Sequence, residues 1–170
     1  MPAGATYEPI ATQTLSSSAA SITFSSIAAS YTDLKIVLVA TGDAGSAPMI
    51  QFNGDSASNY SGTFIAGSGS AASSTNTGAN DSRIRSGYQS VAGLSSTIPH
   101  MYTFDIFSYA GSTFKTVLTS FSEDNNGSGY VGRGVGLWRS ASAVTSILVS
   151  GAGANFLTGS TFTLYGVKNA

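Results

Sequence analysis

The stretch YTDLKIVLVATG, residues 31–42, alternates with a period of two, so that Leu34, Ile36 and Leu38 fall on one face of an extended strand. Val37 and Val39 are apolar on the other face, which predicts a central strand covered on both sides. The same period returns along the chain. Ile22 and Phe24 alternate with Ser and Thr in ASITFSSI; Tyr102, Phe104 and Ile106 do so in HMYTFDIFSY; Phe162 and Leu164 do so in STFTLYGVK. In STFKTVLTSF, Phe114 and Leu118 face one way and Val117 and Phe121 the other. No segment sustains helical spacing.

Turn chemistry separates these runs: Asn53-Gly54-Asp55, Tyr109 to Ser112, the EDNNGSG run from Glu123 and the GAGAN run from Gly151 stand where hairpins reverse. Short strands at this spacing predict one all-β domain, a jelly-roll-like antiparallel β-sandwich. Two segments lack the period: an N-terminal arm, 1–14, and the Ser/Gly-rich loop 67–81. Fixing such backbone costs about 1–2 kcal/mol per residue. Both are therefore expected to order against neighbouring chains.

The chain of 170 residues is 42% hydrophobic but only 9% charged, with a formal net charge of -1. That balance supplies a core and a neutral surface, with no basic footprint for nucleic acid and no steering toward an anionic membrane. Cysteine is absent, so no disulfide framework or thiolate metal site is available. The first ten residues, MPAGATYEPI, lack the basic and apolar regions of a secretory signal, and IVLVA is too short to span a bilayer, which predicts a cytoplasmic product.

Candidate chemistry is sparse. His100 follows Pro99 at a strand start, has no second imidazole to complete a metal set, and is read as a strand-end residue. GSGYVG, residues 127–132, satisfies the spacing of a dinucleotide loop, but the glycine-rich RGVGLWRS that follows is strand-like, and the motif works only before a helix. Its glycines suit a strand that bends or lies against another backbone. Two oxygen-rich turns, Asn53 to Asn59 and Glu123 to Asn126, lack the full acidic loop that calcium requires and are read as turns. The sequons at Asn59, Asn80 and Asn126 come with no export signal. Arg83, Arg85, Arg133 and Arg139 would make a small basic patch only if their loops converged, and Trp138 beside Arg139 is either a core residue or an interface anchor.

YTDLKIVLVATG, QFNGDSASNYSG, GLWRSASAVTSILVSGAGANF and the ending GSTFTLYGVKNA together resemble the small virion structural proteins of tailed bacteriophages, many of them marine. The likeness covers nearly the whole chain and is weak only over 67–93. It implies a β-sandwich subunit of a phage particle with no enzymatic activity and no catalytic residue; from the residues themselves, no cofactor and no metal are expected. Asn53, Gly54, Asp55, Asn59 and Tyr60 would form a recurring structural turn, and these residues with Trp138 and Arg139 are the candidate turn and assembly contacts. The expected role is a capsid decoration or cement protein on the outer head surface. Its partners would be the major capsid protein and further copies of itself, as a trimer, with neither nucleic acid nor membrane.

Two rivals make separate demands. A tail-fibre or receptor-binding module would bind a host glycan with Tyr60, Tyr88 or Trp138 as stacking platforms. A glycan-degrading enzyme would need two carboxylates about 5–9.5 Å apart in a cleft, whereas the acids here sit mainly in turns, with Asp105 the one inside a strong strand pattern.

Overall fold

The computed structural model describes residues 6–87 and 92–168. Among them the regular structure is β-strand throughout, and no helix is long and apolar enough to cross a membrane. The strands are β1 (Tyr7–Thr14), β2 (Ser21–Phe24), β3 (Asp33–Ala40), β4 (Met49–Phe52), β5 (Tyr60–Gly67) and β6 (Ala72–Asn76) in the first half. There follow β7 (Ile84–Arg85), β8 (His100–Ile106), β9 (Lys115–Asp124), β10 (Gly129–Trp138), β11 (Ile147–Ser150) and β12 (Thr161–Val167). They form an eight-stranded sheet, ordered β1-β12-β3-β8-β9-β10-β5-β6, and a four-stranded sheet, β2-β11-β4-β7. The named pairings are antiparallel. The expected all-β antiparallel sandwich is therefore what the chain forms. Its strands divide eight and four, whereas a jelly roll winds eight strands into two Greek keys.

Alternation decides which side chains enter the space between the sheets. Leu34, Ile36 and Leu38 of β3 lie opposite Ile106, Phe104 and Tyr102 of β8, and all are buried. The small sheet answers with Ile22, Phe24, Ile50, Phe52, Ile147 and Val149. Burying a side chain of this size contributes about 1.5–3 kcal/mol, which is how a chain so poor in charge holds together.

β10 inverts the usual pattern. Three of its inward positions, before the buried Trp138, are Gly132, Gly134 and Gly136, and their neighbours supply the bulk. A Cβ on Gly132 would overlap the Phe121 ring, one on Gly134 would overlap the Phe64 ring, and one on Gly136 would stand 2.6 Å from Ile84 Cγ2. The glycines of the dinucleotide-like motif thus belong to the β9–β10 hairpin, where Asn126 and Gly127 take positive φ at the turn.

Both expected aperiodic segments need correction. Within the N-terminal arm, residues 7–14 are strand β1 on β12, with a register shift between Pro9 and Ala11. Lys168 Nζ holds Glu8 Oε1 at 2.6 Å, and Tyr7 packs edge-on against Tyr165. Within the 67–81 loop, residues 72–76 are strand β6, turned back onto β5. The turn closes when Ser68 N–H donates to the Ala71 carbonyl, and Asp81 re-enters by exchanging backbone bonds with Tyr60. The chain's own ladders supply the order expected from neighbours. The remaining arm residues, 1–5, lie outside the described residues.

A second correction concerns coverage. β3 is central in its sheet, yet Val39 is 42% exposed. Only one face of the eight-stranded sheet carries the small sheet.

Candidate functional site

The sequence singled out Asn53, Gly54, Asp55, Asn59, Tyr60, Trp138 and Arg139, and the fold brings them into one cluster. Asn53 and Gly54 take positive φ (52° and 69°) as the chain leaves β4, a conformation to which Asn and Gly are suited. Asn53 Oδ1 accepts the Thr145 and Ser146 amides, and its Nδ2 donates to Ala143 O, tying the turn to the segment before β11. Asp55 Oδ1 accepts the Ala57 amide, and Oδ2 accepts Asn59 Nδ2 at 3.1 Å and the Trp138 indole N–H at 2.7 Å. These donors hold the Asp55 carboxyl below its ordinary range, with Trp138 the largest cause.

β5 and β10 are in register so that Tyr60 lies opposite Trp138. Their rings stack at 16° between planes, and Phe52 of the other sheet lies 5.2 Å from the Trp138 ring. Tyr60 Oη also serves the turn backbone, accepting from Phe52 N–H and donating to Asp55 O. Burial pushes the Tyr60 phenol well above its ordinary value. Arg139 donates to Ser58 O and Ala79 O, clamping the turn to the chain beyond β6.

This cluster is a structural knot. Both Asp55 oxygens face donors, so a cation there would have to displace them. Tyr60 and Trp138 are 0% and 2% exposed, which leaves neither ring a face for a sugar; the third suggested platform, Tyr88, lies outside the described residues. Of Trp138's two readings, core residue is the one observed.

The other candidates disperse. Arg85 pairs with Asp81 in the small sheet, whereas Arg133 stands on the outer face of the large one, so the four arginines form no common patch. Asp105 is held by Lys35 at 2.5 Å. His100 is 2% exposed at the start of β8, its Nδ1 2.9 Å from Gly93 O and 3.3 Å from Glu123 Oε2, its Nε2 3.3 Å from Asn125 Oδ1. Desolvation pushes the Glu123 carboxyl upward, with His100 opposing. A cleft of about 530 Å³ opens nearby, between Gly67–Gly69 and the β9–β10 hairpin, floored by Met101, Ser122 and Val131. Among the described residues, no group of three or more His, Asp and Glu side chains could hold a metal.

Sequence reasoning missed the feature that stands out most, the outer face of the eight-stranded sheet. Val39 lies beside Met101, Met101 beside Ser122, and Ser122 beside Val131. Two rows along, Leu118 pairs with Val135. Val39, Met101, Leu118, Val131 and Val135 are 42–65% exposed, and Ile65 on β5 is 62% exposed. Among the described residues nothing packs over them. The one signal was their alternation with core residues in the same strands, which cannot separate a second core from a bare apolar face.

The geometry defines an antiparallel β-sandwich with one face of its larger sheet free of cover among the described residues. No family model matches the chain, and no curated protein matches it.

Proposed function

We propose that this chain is a structural protein of a tailed-bacteriophage particle, a capsid decoration or cement protein that sits as an oligomer on the outer head surface and braces adjacent major capsid proteins. The resemblance of its turn and C-terminal strand to small virion proteins suggests the setting, and favours a trimer. The observation that carries the reading is the exposed aliphatic face formed by Val39, Met101, Leu118, Val131 and Val135. Aliphatic side chains gathered on one exposed sheet face, here interleaved with Thr103, Ser120 and Arg133, mark an interaction surface. Its charge is sparse: Lys35 and Asp105 neutralise each other beside Leu118, and Arg133 stands between Val131 and Val135. Docking it removes apolar area from water at about 25 cal/mol per Å², with Arg133 the main charge that a partner must pair or leave at the rim. Modest contacts of this type sum across a shell that presents many equivalent places.

Quantitative mass spectrometry of purified phage particles tests the reading. Hundreds of copies per particle are expected; a few or tens would move the protein to the tail, and absence would overturn the proposal.

A further inference from the structure

The eight-stranded sheet ends in two edges that are treated differently. At one, β1 carries Pro9 and a register break. Thr6 O accepts the Lys168 amide, so with alternate residues bonding inward, Pro9 holds an outward position where it has no N–H to offer. Proline and a bulge are the usual guards against edge pairing. At the other edge, β6 reads ASSTN: small, uncharged, free of proline and paired to β5 without a break.

The β6 ladder fixes which groups are free. Ser68 N–H donates to Ala71 O and Thr77 N–H to Gly62 O, which makes Ala71, Ser73, Thr75 and Thr77 the inward-bonded residues of the alternation. Ala72, Ser74 and Asn76 therefore aim their amides and carbonyls outward. These positions are symmetric about Ser74.

We propose that β6 is a self-pairing edge, joining two copies of this chain across a two-fold axis at Ser74 into one continuous antiparallel sheet. In that register Ser74 meets Ser74, and Ala72 meets Asn76 in both directions, so each outward amide and carbonyl finds a partner. Ser73 meets Thr75, a hydroxyl pair that sheets favour, and no like charges oppose. The seam also extends the outer face: beside β6 runs a groove of about 600 Å³ lined by Ile65, Gly67, Ala72, Ser74, Val131 and Arg133. The copy is a better occupant than an arbitrary strand because the outward residues match themselves about Ser74, with small, uncharged side chains meeting at every pair. A two-fold seam is compatible with threefold contacts made elsewhere, and it does not depend on the virion reading.

The test is sedimentation equilibrium on the purified full chain with a charge exchange at Ser74. The wild type is expected to dimerise. Ser74→Lys and Ser74→Glu, each placing like charges face to face, are each expected to weaken the dimer roughly tenfold or more, and their equimolar mixture to restore it. Ser74→Thr should dimerise as the wild type does, and Trp138 fluorescence reports that every variant is folded. A wild type that stays monomeric, variants that associate undiminished, or a mixture that fails to recover would each overturn the proposal. Dimers of a chain missing from phage particles would instead count against the virion reading alone.

Discussion

Trp138 of β10 donates its indole N–H to Asp55 Oδ2 across 2.7 Å, so the turn that leaves the small sheet is fastened to the large one by a buried ring. Asp55→Ala would leave that N–H without its charged acceptor and free the Asn59 amide. The expected loss is about 1.5–3 kcal/mol, read by urea unfolding followed through Trp138, the sole tryptophan. Because the folded carboxyl titrates below its ordinary 3.8, this stabilisation is present above that pH and lost as pH falls through the folded value. The wild-type advantage over Asp55→Ala should therefore shrink in acid.

Gly134 faces the Phe64 ring and Thr119 Oγ1 from the inward side of β10. Gly134→Ala is expected to destabilise by about 1–3 kcal/mol through overpacking. Phe64→Leu, combined with it, should cost less than the two changes summed, since the smaller side chain vacates the space; a double-mutant cycle in urea measures that coupling.

Glu123 gives the opposite pH behaviour to Asp55. Its folded carboxyl titrates above the ordinary 4.5 because burial disfavours the charge. Its contribution is thus complete below that pH and lost as pH rises through the folded value. Glu123→Gln removes this dependence, so the variant's stability relative to wild type should rise between pH 4 and pH 7 in parallel urea titrations.

The legible parts of the fold were those in which one strand carries its own apolar alternation, as in β2, β3, β8, β9 and β12. The turn residues Asn53 and Gly54 were legible for a related reason: positive φ selects residue type locally. β1 and β6 were not, because their sequences are exposed along most of their length and their stability comes from hydrogen bonds to distant partners. β10 was hardest to orient. Its Val131 and Val135 face solvent while its glycines face the core, so hydrophobicity alone points the strand the wrong way. That inversion hid the outer face, and the apolar Val37 and Val39 pointed to a second covered side where Val39 is in fact exposed.

Leu118 and Val135 form a cross-strand pair on that face, 43% and 42% exposed. Replacing them with Lys and Glu, opposite charges across the strands and outside the core, is expected to change folding stability by no more than about 0.5 kcal/mol per site in urea unfolding. Stability and assembly thereby separate.

The most direct measurement is binding of labelled wild-type chain and of the Leu118→Lys/Val135→Glu variant to purified phage heads stripped of the protein. The account predicts saturable wild-type binding, with the variant bound roughly tenfold or more weakly. Equal occupancy by the two, or no wild-type binding, would contradict it.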